Sequence, residues 1–394
     1  MNTAGVPVYE PDIYSVDAIV DPYPHYQRLR DLGPVVWLTK HRVYALPRYA
    51  ECKAVLLDDK TFLSGRGVAL NWIANRMSRG TTLNSDGAEH DQRRKLLAHR
   101  LLPRALRAIN DSVEATAATV VETALNKGEV DGVHDLAAAL PLAVVPDLIG
   151  WPRDQRDHLI EWGGATFDVL GPLNWQAIKA MPGAFRMLRF ARRAVHKRTF
   201  LDGSMAHELM TAADEGKLSH AECPALMVDY LAPSIDTTMS AISNALYLFA
   251  SHPEQWQLLK NEPPLMANAV NEVVRHEPPL RAFARRVDRQ TEISGVSIPS
   301  GARVLVIYAS ANRDEREWEK PAVFDINRDA GRQIGFGQGA HACAGQSLAR
   351  LETTAVLRAL IERVDRIEVT SPPTWAVNNI IHRHERLPLK LIPA

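Results

Sequence analysis

A single cysteine set among glycines constrains this chain more than any other feature. The run Phe336-Gly337-Gln338-Gly339-Ala340-His341-Ala342-Cys343-Ala344-Gly345 passes directly into a helical stretch, Gln346–Val364. Glycines at alternate positions allow positive φ, so the backbone can fold tightly under the thiol and aim amide hydrogens at its sulfur. The positive end of the following helix adds to this, and both features favour a thiolate. The other cysteines, Cys52 and Cys223, are far away in sequence, and one cysteine cannot build a four-ligand zinc site. A soft, redox-active metal held by one thiolate is the better match, and haem iron with Cys343 as its axial ligand follows. A buried cysteine in a glycine-rich turn is the plain alternative.

The chain has 394 residues, 46% of them hydrophobic, which is enough for a large core. Lysine plus arginine equals aspartate plus glutamate, 46 each, so no net charge steers it toward nucleic acid or an anionic membrane. An odd number of widely spaced cysteines argues against a disulfide framework and suits a reducing compartment. No basic segment followed by an apolar one opens the chain. The best apolar stretches, Leu136–Val145 and Ala241–Ala250, are shorter than the ~20 residues of a membrane span. A soluble, cytoplasmic protein is expected.

Helical spacing over Pro22–Leu32 stops at Gly33-Pro34, and Val35–Leu38 with Val43–Leu46 read as a hairpin. Residues 48–290 and 345–364 read as a helical core, with β-rich parts near 35–46, 293–308 and 376–394. No internal repeat or low-complexity linker appears, so one mainly α domain with a smaller β portion is expected over 1–394. Within it, Leu218–Ala250 predicts a helix long enough to cross the domain, opened by a capping box of Ser219 and Glu222. Pro233 removes the amide that would bond the Asp229 carbonyl, which predicts a kink. Asp236-Thr237-Thr238 then places an acid and two hydroxyls in an apolar helix. Hydroxyls bonded back to the carbonyl four residues earlier are the plain reading.

Taken together, the Phe-Gly-x-Gly-x-His-x-Cys-x-Gly run, Glu272-x-x-Arg275 and Asp236-Thr237 resemble the cytochrome P450 family of haem-thiolate monooxygenases, over nearly the whole chain. The resemblance implies that fold, with haem b between the long distal helix and the cysteine loop. Glu272, Arg275 and Arg328 become a structural trio that supports the loop. Haem carboxylates would meet His90, Arg94, Arg285 and His341, with Phe336 and Gly345 completing the cofactor site. A spacing of four puts His90 and Arg94 on one helix face, and arginine can bind a carboxylate through two hydrogen bonds. Thr237 would hold oxygen or a water and Asp236 would relay protons from solvent. Just before them the chain departs from the family's small Ala/Gly-Gly pattern with Pro233-Ser234, where Ser234 either bonds the Tyr230 carbonyl or faces the oxygen site. Ferredoxin and its reductase are the implied electron donors, docking beside Arg93, Lys95 and Arg350.

Within that family the chain is similar to bacterial members that oxidise para-substituted benzoates and aryl ethers, through Gly33-Pro34-Val35-Val36, Ser64-Gly65-Arg66-Gly67-Val68, Phe167 with Leu170-Gly171-Pro172, Ser310-Ala311-Asn312-Arg313-Asp314 and Leu387-Pro388-Leu389-Lys390-Leu391. Hydroxylation or O-demethylation of a small aromatic substrate follows as an expectation. Arg66 and Asn71 would cap the pocket and meet a carboxylate, while Phe167, Leu170 and Phe283 would grip the ring. Val228-Asp229 stand where that subgroup has Arg-Ser, and an acidic Asp229 opposes an anionic substrate. The same chemistry on a terpenoid, fatty acid or secondary metabolite is the first alternative. A haem protein that binds a ligand or gas without turnover is the second, and the Asp236-Thr237 pair speaks against it.

Overall fold

A helix buried on every side crosses the molecule, and the other elements pack around it. The computed structural model describes residues 5–394. Five helices position the site: α1 (Gly87–Leu97), α2 (Leu159–Asp168), α3 (Cys223–Ser251), α4 (Met266–His276) and α5 (Gln346–Arg363). Along α3, Leu226, Leu231, Ile235, Met239, Ile242, Leu246 and Phe249 are all buried, the pattern of a core helix. The capping residues act one turn early: Glu222 Oε2 accepts the Ser219 N–H at 3.1 Å, but the helix itself begins at Cys223, beside Pro224.

Pro233 lies inside α3. Around it the hydroxyls of Ser234, Thr237 and Ser240 donate to the carbonyls of Tyr230, Pro233 and Asp236 at 2.7, 2.6 and 2.6 Å. The back-bonded alternative therefore holds for Ser234. The apolar run before α2 is longer than Leu136–Val145: Gly132–Ile149 spans 18 residues with mean hydropathy 1.4. More than half of it is buried, and it packs on α3.

The β portion is a six-stranded sheet ordered Val8–Tyr9, Val36–Leu38, Val43–Leu46, Arg303–Val306, Phe283–Val287, Phe62–Leu63. The expected hairpin is present, with Trp37 opposite Tyr44. Phe283–Val287 is a correction, because it lies inside the stretch read as helix to residue 290. Pro278-Pro279 ends the preceding helix, and a period of two then sends Phe283 and Arg285 to one face and Arg286 to the other. Thr291–Ile293 and Val296–Ile298 form a tight hairpin about Ser294 and Gly295, at φ 47° and 81°. Near the C-terminus, Pro388–Pro393 pairs with both Val364–Val369 and Glu129–Asp131.

One buried ion pair ties these layers to the cysteine loop. Arg275 donates from Nε and Nη2 to the two Glu272 oxygens at 2.6 and 2.8 Å, and both side chains are fully buried. Its remaining donors reach the carbonyls of Asn312 and Pro321, each at 2.9 Å, and Arg328 Nε approaches Glu272 Oε1 at 3.3 Å. Asn312 in turn accepts the Ile334 N–H at 2.9 Å, at the entrance of the loop. Removing the guanidinium strands a buried carboxylate and three carbonyls. Arg275→Ala is therefore expected to lose about 3–5 kcal/mol of stability by chemical denaturation, and a loss below about 1 kcal/mol, the range of an exposed pair, would contradict this assignment.

Candidate active site

The cysteine loop is closed by its own backbone. Cys343 N–H donates to Phe336 O at 2.8 Å, Ala342 N–H to Gly339 O at 3.1 Å, and Gly337 N–H to Ile334 O at 2.9 Å. Gly337 and Gly339 sit at φ 67° and 70°, and a Cβ at Gly339 would collide with the Leu56 carbonyl, so glycine is required there. The loop delivers Cys343 to the start of α5. Burial pushes its thiol up, against the Gly345 amide, Arg94, Arg350 and the Gln346 amide, which all favour the thiolate. Among the described residues, no three His, Cys, Asp or Glu side chains cluster at metal-ligand distance. A metal on Cys343 therefore needs a carrier that supplies its other ligands.

Cys343 opens on a cavity with about 1310 Å³ of atom-free space, part of it reaching solvent. The cavity brings together most of the residues expected from the sequence: His90, Arg94, Arg285, Phe336, His341 and Gly345, then Thr237, Phe167, Phe283 and Asp229. Haem fits their chemistry. Among the described residues, Arg94 and Arg285 donate only to carbonyls, Ala342 O at 2.7 Å and Ala284 O at 2.8 Å. His90 Nε2 is buried with no partner, and its ring lies 4.2 Å from that of His341. Burial, then Arg285, His90 and Arg94, hold His341 neutral, its pKa down at about 3. Two carboxylates border the histidines: the exposed Asp91, 3.3 Å from His90 Nδ1, and Asp86, 3.9 Å from His341 and already accepting the Ser64 and Gly65 amides. Among the described residues neither Arg94 nor Arg285 forms an ion pair, and two carboxylates on an apolar, planar body would balance their charges.

On the opposite wall, Thr237 faces the cavity while Asp236, one position along α3, points away from it. Asp236 is fully buried, its Oδ1 accepts Arg383 Nε at 3.1 Å, and its Oδ2 has no partner. Burial raises its pKa, against Arg383. Arg383 also reaches Glu385, whose side chain is 62% exposed, at 3.2 Å. Asp168 lies in the same buried network, its pKa raised to about 6 by burial. Sequence reading missed Arg383 and Asp168, which no local spacing links to Asp236.

Three expected substrate contacts lie elsewhere. Arg66 is exposed and lines a surface depression. Asn71 caps the short helix Trp72–Met77 through the Ala74 amide at 2.8 Å and holds the Val169 and Gly171 carbonyls, a buried role that leaves no donor for a ligand. Leu170 packs into the sheet core. Asp229 does line the cavity and accepts the Thr82 amide at 2.8 Å; burial pushes its carboxyl up to about 6. The suspected docking cations also differ from expectation. Arg93 is buried between Glu89 and Glu222, and Arg350 lies 4.3 Å over the Phe336 ring, bonded to Gln346 and Asn271. Lys95 is exposed.

Comparison with known proteins agrees with this geometry. The sequence profile of the family Cytochrome P450 matches residues 186–378. The chain is 35% identical to cytochrome p450 CYP199A2 of Rhodopseudomonas palustris, over 99% of this chain and 96% of that protein. It is 31% identical to steroid C26-monooxygenase of Mycolicibacterium smegmatis, over 75% and 70%. Among solved structures it superposes on cytochrome P450 CREJ in complex with (4-ethylphenyl) dihydrogen phosphate with a TM-score of 0.86 at 26% identity, covering 95% of this chain and 98% of that one.

Proposed function

We propose that this chain, which belongs to the cytochrome P450 family and is a haem-thiolate monooxygenase, oxidises a small uncharged aromatic compound, with an alkyl ether of a phenol as the best fit. Its electrons come singly from a ferredoxin served by a ferredoxin reductase, in the cytoplasm. Haem b, bound through Cys343, supplies the activation of dioxygen from which one oxygen atom enters the substrate.

The observation that carries the substrate reading is the lining of the cavity. Phe167, Phe283, Leu83 and Leu280 offer apolar contact to a flat ring. The lining cations, Arg94 and Arg285, are committed to the carboxylates of haem, and Arg66 is outside. Asp229 is then the charged group left for the substrate, and a second negative charge beside it is unfavourable. This favours aryl ethers and phenols over benzoates within the aromatic class. CREJ holds a single para-substituted ring in its structure, which supports a ligand of that size. The steroid C26-monooxygenase relative favours a second reading, a neutral terpenoid-like substrate.

Protons enter from the opposite side of α3. Glu385 meets solvent, Arg383 joins it to Asp236, and the unpartnered Asp236 Oδ2 is the atom that takes up a proton in the buried network. The Thr237 hydroxyl donates its hydrogen to the Pro233 carbonyl, and its oxygen, on the cavity wall, would hold a water that carries that proton on.

Thr237→Ala is expected to keep ligand binding but divert electrons from product to peroxide, and Asp236→Asn to slow turnover by about 10²-fold. Unchanged coupling and rate in both variants would remove the pair from the mechanism. Ligand affinity tests the substrate reading through pH. Asp229 has a raised pKa, so it is neutral below about 6 and charged above. Affinity for 4-methoxybenzoate, read from the haem spectrum, should therefore fall by about ten-fold from pH 5 to pH 7 and stay level in Asp229→Asn. Affinity for 4-methoxyphenol should be level in both proteins. A spectrum that ignores every single-ring aromatic but responds to a steroid would overturn the aromatic reading.

A further inference from the structure

Arg66, Arg76, Arg79, Arg286 and Arg303 surround one depression of about 400 Å³ on the outer side of the sheet. It is separate from the haem cavity, because alternation along Phe283–Val287 sends Arg285 inward and Arg286 outward. Among the described residues, none of the five forms an ion pair. Other surface arginines are unpaired too, Arg42, Arg104 and Arg153 among them, but what is particular here is that five line one concavity in a chain with as many acids as bases. Asp86, Glu89 and Asp288 line the adjoining depression, which shares Arg66 and Arg286, and not this one. Arg303 spends one donor on the Leu70 carbonyl at 2.5 Å, and burial and then the Arg286 charge lower its pKa. Trp72 stands at the same depression with 67% of its surface exposed.

Single arginines normally reach into water, but five that converge on one concavity repel one another unless an anion sits between them. The geometry points to a binding site for a small, free polyanion that carries phosphate groups. Forked guanidinium donors match phosphate oxygens two at a time, and the exposed indole face accommodates a planar part of the ligand. The depression is open to solvent, and its volume, within the range of an ordinary ligand pocket, suits a small molecule.

The test is calorimetric titration of the haem-loaded protein with inorganic pyrophosphate at about 0.15 M salt, where long-range charge effects are screened. Saturable binding is expected, weakened by about ten-fold or more in the double variant Arg76→Gln, Arg286→Gln, whose unchanged haem spectrum would show that it is folded. No saturation, or equal affinity in the double variant, would overturn the proposal. So would binding to phosphatidylglycerol vesicles with no response to pyrophosphate, which would make the patch a membrane contact.

Discussion

Arg94 and Arg285 face one cavity, and among the described residues neither forms an ion pair with a carboxylate. The catalytic half of the structure is arranged around that imbalance. His90 is left with an orphan nitrogen and His341 is held neutral beside it. The cluster is completed only by an anionic cofactor, so the fold and its haem are energetically coupled. Arg275 is the contrasting case. It is fully buried, and Glu272 with the carbonyls of Asn312, Pro321 and Val323 satisfies it from within the chain. The same side chain thus occurs in two settings: paired within the chain beside the loop, and, at Arg94 and Arg285, facing the cavity, where its proposed role is to receive the cofactor.

The two walls of the cavity divide the remaining chemistry. Cys343 reaches it from a loop whose shape is set by Gly337, Gly339 and the Ile334–Asn312 bond. Thr237 reaches it from α3, in a turn where Pro233 has no amide to give and hydroxyls bond back to the carbonyls. Asp236 is turned the other way, into a network with Arg383 that ends at the surface. Consecutive residues on one helix therefore face two compartments, the cavity and the buried Arg383 network, because each step along a helix turns by about 100°.

What could be read from the sequence was local. The cysteine loop, the Glu272–Arg275 spacing and the Asp236-Thr237 pair all lie within single elements, where the distance between residues fixes the geometry. Asp236 and Arg383 lie 147 positions apart, and nothing near either one announces the other. Arg66 looked like a pocket residue because the family resemblance places its loop over the substrate. Its side chain instead joins a cationic surface, a matter of orientation that a sequence leaves open. Phe283–Val287 was hidden for a related reason: a strand carrying two arginines resembles the charged helices around it until its partners Arg303–Val306 and Phe62–Leu63 are in place.

The proposed role of Arg94 and Arg285 is to hold the carboxylates of haem. Transfer of haem from the protein to apomyoglobin measures this directly, with the thiolate ligand left intact. Replacing Arg94 and Arg285 together by glutamine should speed that loss by about ten-fold or more, since each charge-assisted hydrogen bond contributes about 1.5–3 kcal/mol. A rate equal to that of the unaltered protein would mean that these arginines serve something other than the cofactor.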